Sequence, residues 1–347
     1  MKLSKDRARR YRSTVTTGLA FAGIALCSWL SGRAFAYPEN AGWPVNWVLG
    51  GASPLVADLD GDGFEEIVAG GASPQGEVMV YNHDGSHVAS APWTFPKDVQ
   101  GHVGGGDLNN DGQIEAVFAE YEQGAFGRIH AVDIDGRELP GWPATFGQPV
   151  LVTAAITIFD FDGDGRLETL YTTAWIWGYN ASGLTLLDDQ GAPLPGWPVE
   201  IDETVESGFA IADLDLDGDM EIVTAGYVGA GQGEASIFAF NHDGTPFAAE
   251  PRLATLDAGV VGTPVSLANL DGGPEPEIVA CDWAGHIHVF DNQGGAVNGW
   301  PPVANFGYVD AMPVALRSAP NEVSALWCNT NPSYVLLYHA DGTLDSH

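Results

Sequence analysis

The sequence predicts an all-β protein, a β-propeller of six four-stranded blades, and three observations support this prediction. An acidic pattern, Asp-x-Asp-x-Asp-Gly-x-x-Glu in its clearest copies, begins at residues 58, 107, 160, 213 and 269. Short apolar runs flank the copies, and no segment shows sustained helical periodicity. Four short antiparallel strands in a repeat of about fifty residues are typical of a propeller blade.

The first repeat shows how its four strands are assigned. An apolar run at 54–57 leads into the acidic loop, and Glu-Ile-Val-Ala at 66–69 leaves it, so the loop joins two strands. A third run at 77–81 precedes Asp84-Gly85, and Asp-Gly between apolar runs predicts a hairpin turn because both residues tolerate positive φ. A fourth strand closes the unit. In several repeats we expect that strand to end in Gly-Trp-Pro, at 141–143, 196–198 and 299–301.

A sixth repeat is visible without an acidic loop. Residues 312–316 parallel residues 263–267, and Asn-Glu-Val at 321–323 stands where other repeats have Glu-Ile-Val. The last repeat stops after its hairpin at 341–344, whereas another Gly-Trp-Pro stands near the beginning, at 42–44. We therefore expect the N-terminal segment to pair with the C-terminal repeat and close the ring. Seven blades are the alternative, with one blade that lacks the loop motif.

Residues 1–36 have the layout of a secretory signal peptide. Six Lys and Arg residues lie within the first twelve, an apolar stretch covers 18–30, and the small-x-small triplet 34–36 follows. A membrane anchor is the alternative, but the apolar stretch is too short to span a bilayer comfortably. We expect cleavage after Ala36, a single propeller domain over 37–347, and a secreted or periplasmic location.

The charge of the chain excludes several partners. Cleavage would remove seven of the 13 basic residues and one of the 46 acidic ones, leaving 6 and 45 and a net charge of −39. Such a surface disfavours nucleic acid and anionic membranes, whereas 45% hydrophobic residues indicate a packed core. We expect a monomer without membrane insertion. Whether Cys281 and Cys328 pair stays open, with buried free thiols favoured.

The acidic loops have the composition of calcium-binding loops. In residues 58–66 the carboxylates at positions 1, 3 and 5 converge as the chain curls, Gly63 permits the sharp turn, and Glu66 at position 9 closes the shell. Position 7 offers its backbone carbonyl. Oxygen ligands alone suit Ca²⁺ better than Mg²⁺ or a transition metal. An EF-hand is excluded because position 12 is not Glu and the flanks are strands.

Four loops have a ligand set, and the predicted number of calcium ions is three to four. The ligands are Asp58, Asp60, Asp62, Phe64 and Glu66; Asp107, Asn109, Asp111, Gln113 and Glu115; Asp160, Asp162, Asp164, Arg166 and Glu168; and Asp213, Asp215, Asp217, Asp219 and Glu221. The second site should be weaker, because Asn109 drops a charge. A fifth site at Asn269, Asp271 and Glu277 is disfavoured, because Gly273 removes the ligand at position 5.

These repeats resemble the FG-GAP and VCBS-type repeats of integrin α-subunit-like β-propellers, in the bacterial secreted form. Leu-Asp-Gly-Asp-Gly at 59–63, with Glu-Ile at 66–67 and the Gly-Trp-Pro segments, carries the resemblance, which covers essentially all of 37–347. The resemblance implies calcium loops that join the first and second strands of a blade, on one face of the disc. It does not imply a particular activity.

Two other side-chain patterns have both a functional and a structural interpretation. His286 and His288 alternate on a predicted strand with Asp282 and Asp291 nearby, an arrangement that can bind a transition metal; a plain strand is the favoured interpretation. Trp-x-Trp at 175–177 can form a sugar-stacking platform, but core packing is favoured.

The leading functional hypothesis is a secreted calcium-binding propeller for extracellular binding or adhesion, with a protein or polysaccharide as its partner. The sequence has no Gly-x-Ser-x-Gly, no His-Glu-x-x-His and no phosphate-binding glycine loop, so we do not expect an enzyme. A carbohydrate-binding, lectin-like module is one alternative. The other is a polysaccharide lyase, because rhamnogalacturonan lyases use related calcium-containing propellers.

Overall fold

The computed structural model of the protein describes eleven segments and four further stretches near the C-terminus. The described residues are 42–45, 53–71, 76–99, 101–121, 127–145, 155–173, 182–205, 208–228, 234–256, 265–282, 286–300, 314–319, 322–330, 333–339 and 341–343. The chain divides into two units, Met1–Val45 and Asn46–His347, and every strand below belongs to the second. The predicted signal peptide lies outside the described residues.

The strands of the described residues form six antiparallel sheets. Sheet 1 contains β1 (Leu55–Ala57), β2 (Glu66–Gly70), β3 (Glu77–Tyr81) and β4 (Trp93–Thr94). Sheet 2 contains β5 (Asp98–Val99), β6 (Gly104–Gly106), β7 (Glu115–Tyr121), β8 (Arg128–Val132) and β9 (Ala144–Thr145). Sheet 3 contains β10 (Ile156–Phe159), β11 (Glu168–Thr173), β12 (Ser182–Leu187) and β13 (Val199–Ile201).

The remaining sheets come from the last three repeats. Sheet 4 contains β14 (Phe209–Ala212), β15 (Glu221–Tyr227), β16 (Ala235–Asn241) and β17 (Arg252–Leu256). Sheet 5 contains β18 (Ser266–Ala268), β19 (Glu277–Cys281) and β20 (Ile287–Phe290). Sheet 6 contains β21 (Val314–Ala319), β22 (Glu322–Thr330) and β23 (Ser333–His339). No helix occurs in the described part of the chain, and so none long and apolar enough to cross a bilayer.

One register repeats at the acidic loop of sheets 1 to 5. The residue that precedes loop position 1 pairs with the glutamate at position 9, so each loop spans the same eight positions between two paired residues. The pairs are Ala57 with Glu66, Gly106 with Glu115, Phe159 with Glu168, Ala212 with Glu221, and Ala268 with Glu277. A common register holds all five loops at the same place in their sheets.

The apolar core lies between successive sheets. One cluster joins Leu108 and Ile129 of sheet 2 to Ile156 and Tyr171 of sheet 3, and equivalent clusters join sheet 1 to 2, 3 to 4 and 4 to 5. Loop position 2 is a buried apolar residue in all five loops, namely Leu59, Leu108, Phe161, Leu214 and Leu270. The acidic loops are therefore anchored in the core by their second residue.

The Gly-Trp-Pro segments at 141–143 and 196–198 lie before the fourth strand and not at its end. We predicted that the fourth strand ends in this triplet, but β9 and β13 begin directly after it. The triplet instead packs on the hairpin turn of the following repeat, where Trp142 Nε1 donates to the Asp189 carbonyl (3.2 Å) and Trp197 Nε1 to the His242 carbonyl (3.0 Å). The hairpin turn of one repeat and the Gly-Trp-Pro triplet of the preceding repeat thus form one contact between neighbouring sheets.

The prediction of an all-β protein with four-stranded antiparallel sheets is confirmed. Sheets 1, 3 and 4 have four consecutive strands, and sheet 2 has five because β5 and β6 both pair with β7. Sheets 5 and 6 have three strands within the described residues. The number of blades, six or seven, and the closure of the ring by the N-terminal segment stay predictions.

Candidate metal centres in the repeat loops

The five acidic loops are numbered 1 to 5 after the sheets that contain them. Three of these loops bring their carboxylates together. In loops 1 and 3 the side chains at positions 1, 3 and 5 place one oxygen each within 4.8 Å of one another, and in loop 4 the group is positions 1, 3 and 9. The groups are Asp58, Asp60 and Asp62; Asp160, Asp162 and Asp164; and Asp213, Asp215 and Glu221. Asp217 is not in the loop 4 group, which differs from the predicted set.

Backbone amides hold each loop in its curl. In loop 1, Gly63 N donates to Asp58 Oδ2 (3.0 Å), Asp62 N to Asp60 Oδ1 (3.0 Å) and Phe64 N to Asp62 Oδ1 (2.8 Å). Loops 3 and 4 repeat these three bonds. Gly63 has a φ of +90°, which other residues rarely adopt, so the sharp turn depends on glycine. These bonds use one oxygen of each aspartate and leave the other available.

The unused oxygen at position 1 is the strongest indication of a cation site. Oδ1 of Asp58, of Asp160 and of Asp213 is buried and has no hydrogen-bond partner. A buried charged oxygen without a partner is costly, and a cation satisfies it. The carboxylate oxygens of loops 1, 3 and 4 therefore fit a hard divalent ion such as Ca²⁺.

Loops 2 and 5 satisfy themselves without an ion. Both oxygens of Asp107 accept backbone hydrogen bonds, from Asp111 N (3.0 Å) and Gly112 N (2.9 Å). Asn109 Nδ2 donates to both Asp111 Oδ2 and Glu115 Oε1 (3.1 Å each), so an amide bridges the two carboxylates. In loop 5, Asn269 Nδ2 donates to the Gly273 carbonyl and Asn269 Oδ1 accepts from Gly272 N (2.9 Å), so the asparagine closes the loop. The ranking of the five sites stays a prediction.

The glutamate at position 9 joins the loop to the core. Its Oε2 accepts a hydrogen bond from the backbone of the buried position 2 residue, at 2.7–2.9 Å in loops 1 to 4. Burial raises the pKa of this carboxyl, and the neighbouring aspartates raise it further, to about 7 for Glu115, Glu168 and Glu221. The pKa of Glu66 is raised for the same reasons. The loop thus carries carboxylates that repel one another unless a proton or a cation is bound.

Position 7 side chains point away from the carboxylates. Phe64 is 54% exposed and stacks on His83 with ring centroids 4.3 Å apart, while Arg166 pairs with Asp189 at 3.0 Å. Asp219 Oδ2 lies 3.7 Å from His242 Nδ1. These three and Gln113 were predicted to bind through the backbone carbonyl, which stays a prediction.

The raised pKa values predict an unusual pH dependence for the calcium-free protein. A glutamate with a pKa near 7 in the folded state and about 4.5 in the unfolded state binds its proton more tightly when folded, so stability falls as pH rises through this window. Calcium-free protein should therefore melt at a higher temperature at about pH 5.5 than at about pH 7.5. The upper limit is about 3 kcal/mol per carboxylate. Thermal melts after exhaustive dialysis measure this difference.

Two controls make this prediction specific. Glu168→Gln keeps an acceptor for Phe161 N but cannot ionise, so it should reduce the slope of stability against pH. Saturating calcium should reverse the slope, since protons then compete with the ion for the carboxylates. A calcium-free protein that loses stability on acidification over the same range contradicts the prediction.

Two further predicted sites have different outcomes. Asp282, His286 and His288 come together, with one ligand atom of each within 4.8 Å of the others. Asp291 does not join them, because its Oδ1 accepts the Gln293 and Gly295 amides of the hairpin turn (3.0 and 2.7 Å). The Trp-x-Trp pattern at 175–177 lies outside the described residues.

The structure describes the side chain of one of the two cysteines, Cys281. Cys281 is a buried free thiol, and burial raises its pKa well above the usual range. This agrees with the favoured expectation for Cys281. The side chain of Cys328 lies outside the described residues.

Sequence reasoning missed a second recurring acid. Glu120 and Asp282 both stand five residues after the position 9 glutamate, and both are buried at the opposite end of the strand from the loop. In sheet 2, Glu120 Oε2 accepts from Arg128 (3.2 Å) and lies 3.3 Å from His130 Nε2. An acidic residue at the same offset from the loop was the available signal in the sequence.

Comparison with known proteins supports the assignment of the repeat. Residues 58–118 match the model of the FG-GAP-like repeat, and no curated protein matches the sequence. The solved structure of BBS1N in complex with ARL6DN, soaked with mercury, shares 13% identity over 88% of this chain and 83% of that chain, with a TM-score of 0.55. The lead-soaked form shares 13% identity over 88% and 82%, with a TM-score of 0.51.

Identities this low bear on the fold alone. The repeat match, the repeated loop register and the antiparallel sheets packed face to face together define the class of protein. The chain has a β-propeller fold and carries an FG-GAP-like repeat at residues 58–118.

Proposed function

We propose that this protein is a secreted, calcium-binding β-propeller that acts as an extracellular binding or adhesion module. The observation that carries the calcium part is the buried, unpartnered Oδ1 at position 1 of loops 1, 3 and 4. Asp58, Asp160 and Asp213 would bind the ion together with the carboxylates grouped beside them. Bound calcium supplies positive charge that neutralises the loop and fixes the turn between the first two strands of the sheet.

The choice of calcium follows from the donor atoms. All grouped side chains in loops 1, 3 and 4 are carboxylates, without nitrogen or sulfur. Hard oxygen donors on a curled loop favour Ca²⁺ over zinc-type ions, and the exposed side of each loop leaves room for water ligands. The net charge of −33 further favours cation uptake.

The binding role is supported by the fold and by exposed apolar side chains around the loops. A propeller of FG-GAP repeats is a fold suited to protein interaction, and the related BBS1N structure is a complex with ARL6DN. Phe64 (54% exposed), Leu216 (48%) and Phe159 (39%) lie within or beside loops 1, 4 and 3. Calcium would fix the positions of these side chains, so we propose that partner binding depends on calcium.

A binding screen tests the proposed function. The purified protein would be applied to arrays of glycans and of extracellular proteins, once with millimolar calcium and once with a chelator. We expect binding to an extracellular protein or polysaccharide that is lost in chelator and weakened by Phe64→Ala. Asp271→Ala is the matched control, because loop 5 needs no ion.

Each outcome of the screen has a defined meaning. Calcium-dependent binding that survives Asp271→Ala supports the proposal. A protein that binds calcium but no array component in either condition overturns the binding and adhesion part, while the calcium part is judged separately by ion counting and melting.

A further inference from the structure

A second, chemically different cluster lies at the end of sheet 5. Asp282 Oδ2 is 2.8 Å from His286 Nδ1 and 2.9 Å from His288 Nε2. The two imidazole rings are nearly perpendicular, at 81°. Two imidazole nitrogens and one carboxylate oxygen therefore lie close together. As possible metal ligands, these atoms differ from the all-oxygen sets of the loops.

The backbone of the strand pair holds these three residues in place. Asp282 N donates to the His286 carbonyl (3.0 Å), and His286 N donates to Asp282 Oδ1 (2.8 Å), so both ends of the hairpin are tied. His288 lies within β20 and is stacked on Phe290 at an interplanar angle of 5°. Asp282 directly follows β19 and His286 directly precedes β20, so a rigid pair of strands holds the three residues near one another.

The side chains are buried on one side and open on the other. The Asp282 side chain is 3% exposed, His288 16% and His286 33%. The carboxylate is thus withdrawn from water, whereas the imidazoles leave an approach from solvent. This is the arrangement of a centre with three protein ligands and an open coordination position.

Sheet 2 provides an internal comparison for the charge of this cluster. Glu120 occupies the place of Asp282, and the strand register puts Arg128 and His130 where sheet 5 has His286 and His288. Arg128 carries a permanent positive charge that compensates the buried Glu120. In sheet 5 the described ion pairs of Asp282 are with two imidazoles, and His286 stands where sheet 2 has the guanidinium of Arg128.

We propose that Asp282, His286 and His288 form a binding site for a zinc-type transition-metal ion, separate from the calcium loops. Imidazole nitrogen with one carboxylate is a donor set that suits Zn²⁺ and does not suit Ca²⁺. The ion would take the place of the positive charge that Arg128 supplies in sheet 2. Water would complete the coordination from the exposed side.

The distances are close to those that zinc requires. Two ligands about 2.0–2.1 Å from a tetrahedral zinc ion lie about 3.3 Å apart. The observed separations of 2.8 and 2.9 Å need to widen by only about half an ångström to reach this value. Binding also requires each imidazole to carry its proton on the other nitrogen, His286 on Nε2 and His288 on Nδ1, so that the nitrogens facing Asp282 are free to coordinate.

Zinc titration calorimetry tests this site. The purified protein would be titrated with ZnCl₂ in millimolar calcium, which keeps the carboxylate loops occupied. We expect one zinc ion with a dissociation constant in the micromolar range or below. Two variants borrow the residue that another repeat places at the equivalent position: His286→Arg, from Arg128, and His288→Phe, from Phe238 of sheet 4. Each should weaken zinc binding roughly tenfold or more.

The borrowed residues also serve as the control for folding, because both already stand in this strand pair elsewhere in the protein. Circular dichroism and calcium-dependent melting should match the unaltered protein. If zinc fails to bind, or binds both variants as tightly as the unaltered protein, the site does not exist and the three residues form a structural hydrogen-bonded cluster. Co²⁺ gives a second readout, since a visible absorption band typical of imidazole ligation should appear only in the unaltered protein.

Discussion

Adding millimolar calcium to the chelated protein should raise its melting temperature by on the order of 10–20 °C. A site filled at about one hundred times its dissociation constant adds roughly 2.7 kcal/mol if only the folded state binds, so three sites add about 8 kcal/mol. In a domain of this size each kcal/mol shifts melting by about 2 °C or somewhat more. Calorimetric melts with parallel counting of bound calcium measure both quantities.

The expected gain comes from charge repulsion that the ion removes. In loop 1, three carboxylate oxygens lie within 4.8 Å of one another, and the Asp58 Oδ1 among these side chains is buried without a partner. Without an ion these charges repel across a turn that joins two paired strands. The loop therefore loses order first, and the strand pair loses its anchor at Leu59.

Single-loop variants separate the sites. Asp60→Ala, Asp162→Ala and Asp215→Ala should each reduce the number of bound ions by one and lower the melting temperature in calcium. Asp271→Ala, in the loop that is closed by its own hydrogen bonds, should leave the number of bound ions unchanged and should lower the melting temperature less. Equal losses for all four variants would show that the ranking of loops is wrong, and an absence of any calcium effect would show that the loops are solvated turns.

Loop 2 decides between three and four ions. The side-chain amide of Asn109 donates to both Asp111 and Glu115, and so occupies the position that a cation would take between them. We therefore expect three ions in the unaltered protein. Asn109→Asp restores the charge and removes the bridging donor, so this variant should bind one more ion than the unaltered protein.

Disrupting the contact between Trp197 and the next hairpin turn should produce the second large effect. The Trp197 side chain is 7% exposed, packs in the core between sheets 3 and 4, and donates a hydrogen bond to the His242 carbonyl. Trp197→Ala should lower the free energy of unfolding by about 3–5 kcal/mol. Trp197→Phe keeps much of the packing but loses the hydrogen bond, and should cost only about 1–2 kcal/mol beyond the lost ring volume.

The neighbouring glycine tests the same contact through the backbone. A Cβ on Gly196 would lie 2.0 Å from the Asp243 carbonyl oxygen, and its φ is +91°. Gly196→Ala must therefore displace the turn of the next repeat as well as strain its own backbone. Gly112→Ala is the matched control, with a φ of +88° and no atom within 4 Å of its Cβ, so it should cost only the strain of about 1–2 kcal/mol.

Denaturant unfolding in saturating calcium measures all four variants. If Gly196→Ala costs no more than Gly112→Ala, the close approach of the two turns is unimportant for stability. If Trp197→Ala costs under about 1 kcal/mol, the contact between sheets 3 and 4 does not limit the stability of the propeller.

The sequence determined the elements whose signal is local. The spacing of Asp58, Asp60, Asp62 and Glu66 predicted a curled loop between two strands, and the short apolar runs predicted the strands on either side. Each of these inferences depends on the chain within a few residues, where spacing alone sets which side chains share a face. Because the motif recurs, the same interpretation applied to five loops, and the repeat predicted the all-β propeller.

Only the tertiary structure decided which polar atoms have partners and which residues from distant parts of the chain meet. The Asn109 amide donates a hydrogen bond to Glu115 of its own loop, whereas Asp58 Oδ1 is buried without a hydrogen-bond partner. Trp197, which precedes β13, contacts a turn 45 residues later. Asp282 contacts both His286 and His288, whereas Asp291 accepts the amides of its own turn. These outcomes depend on directions and distances of a few ångströms between packed groups, and residue spacing along the chain does not encode them.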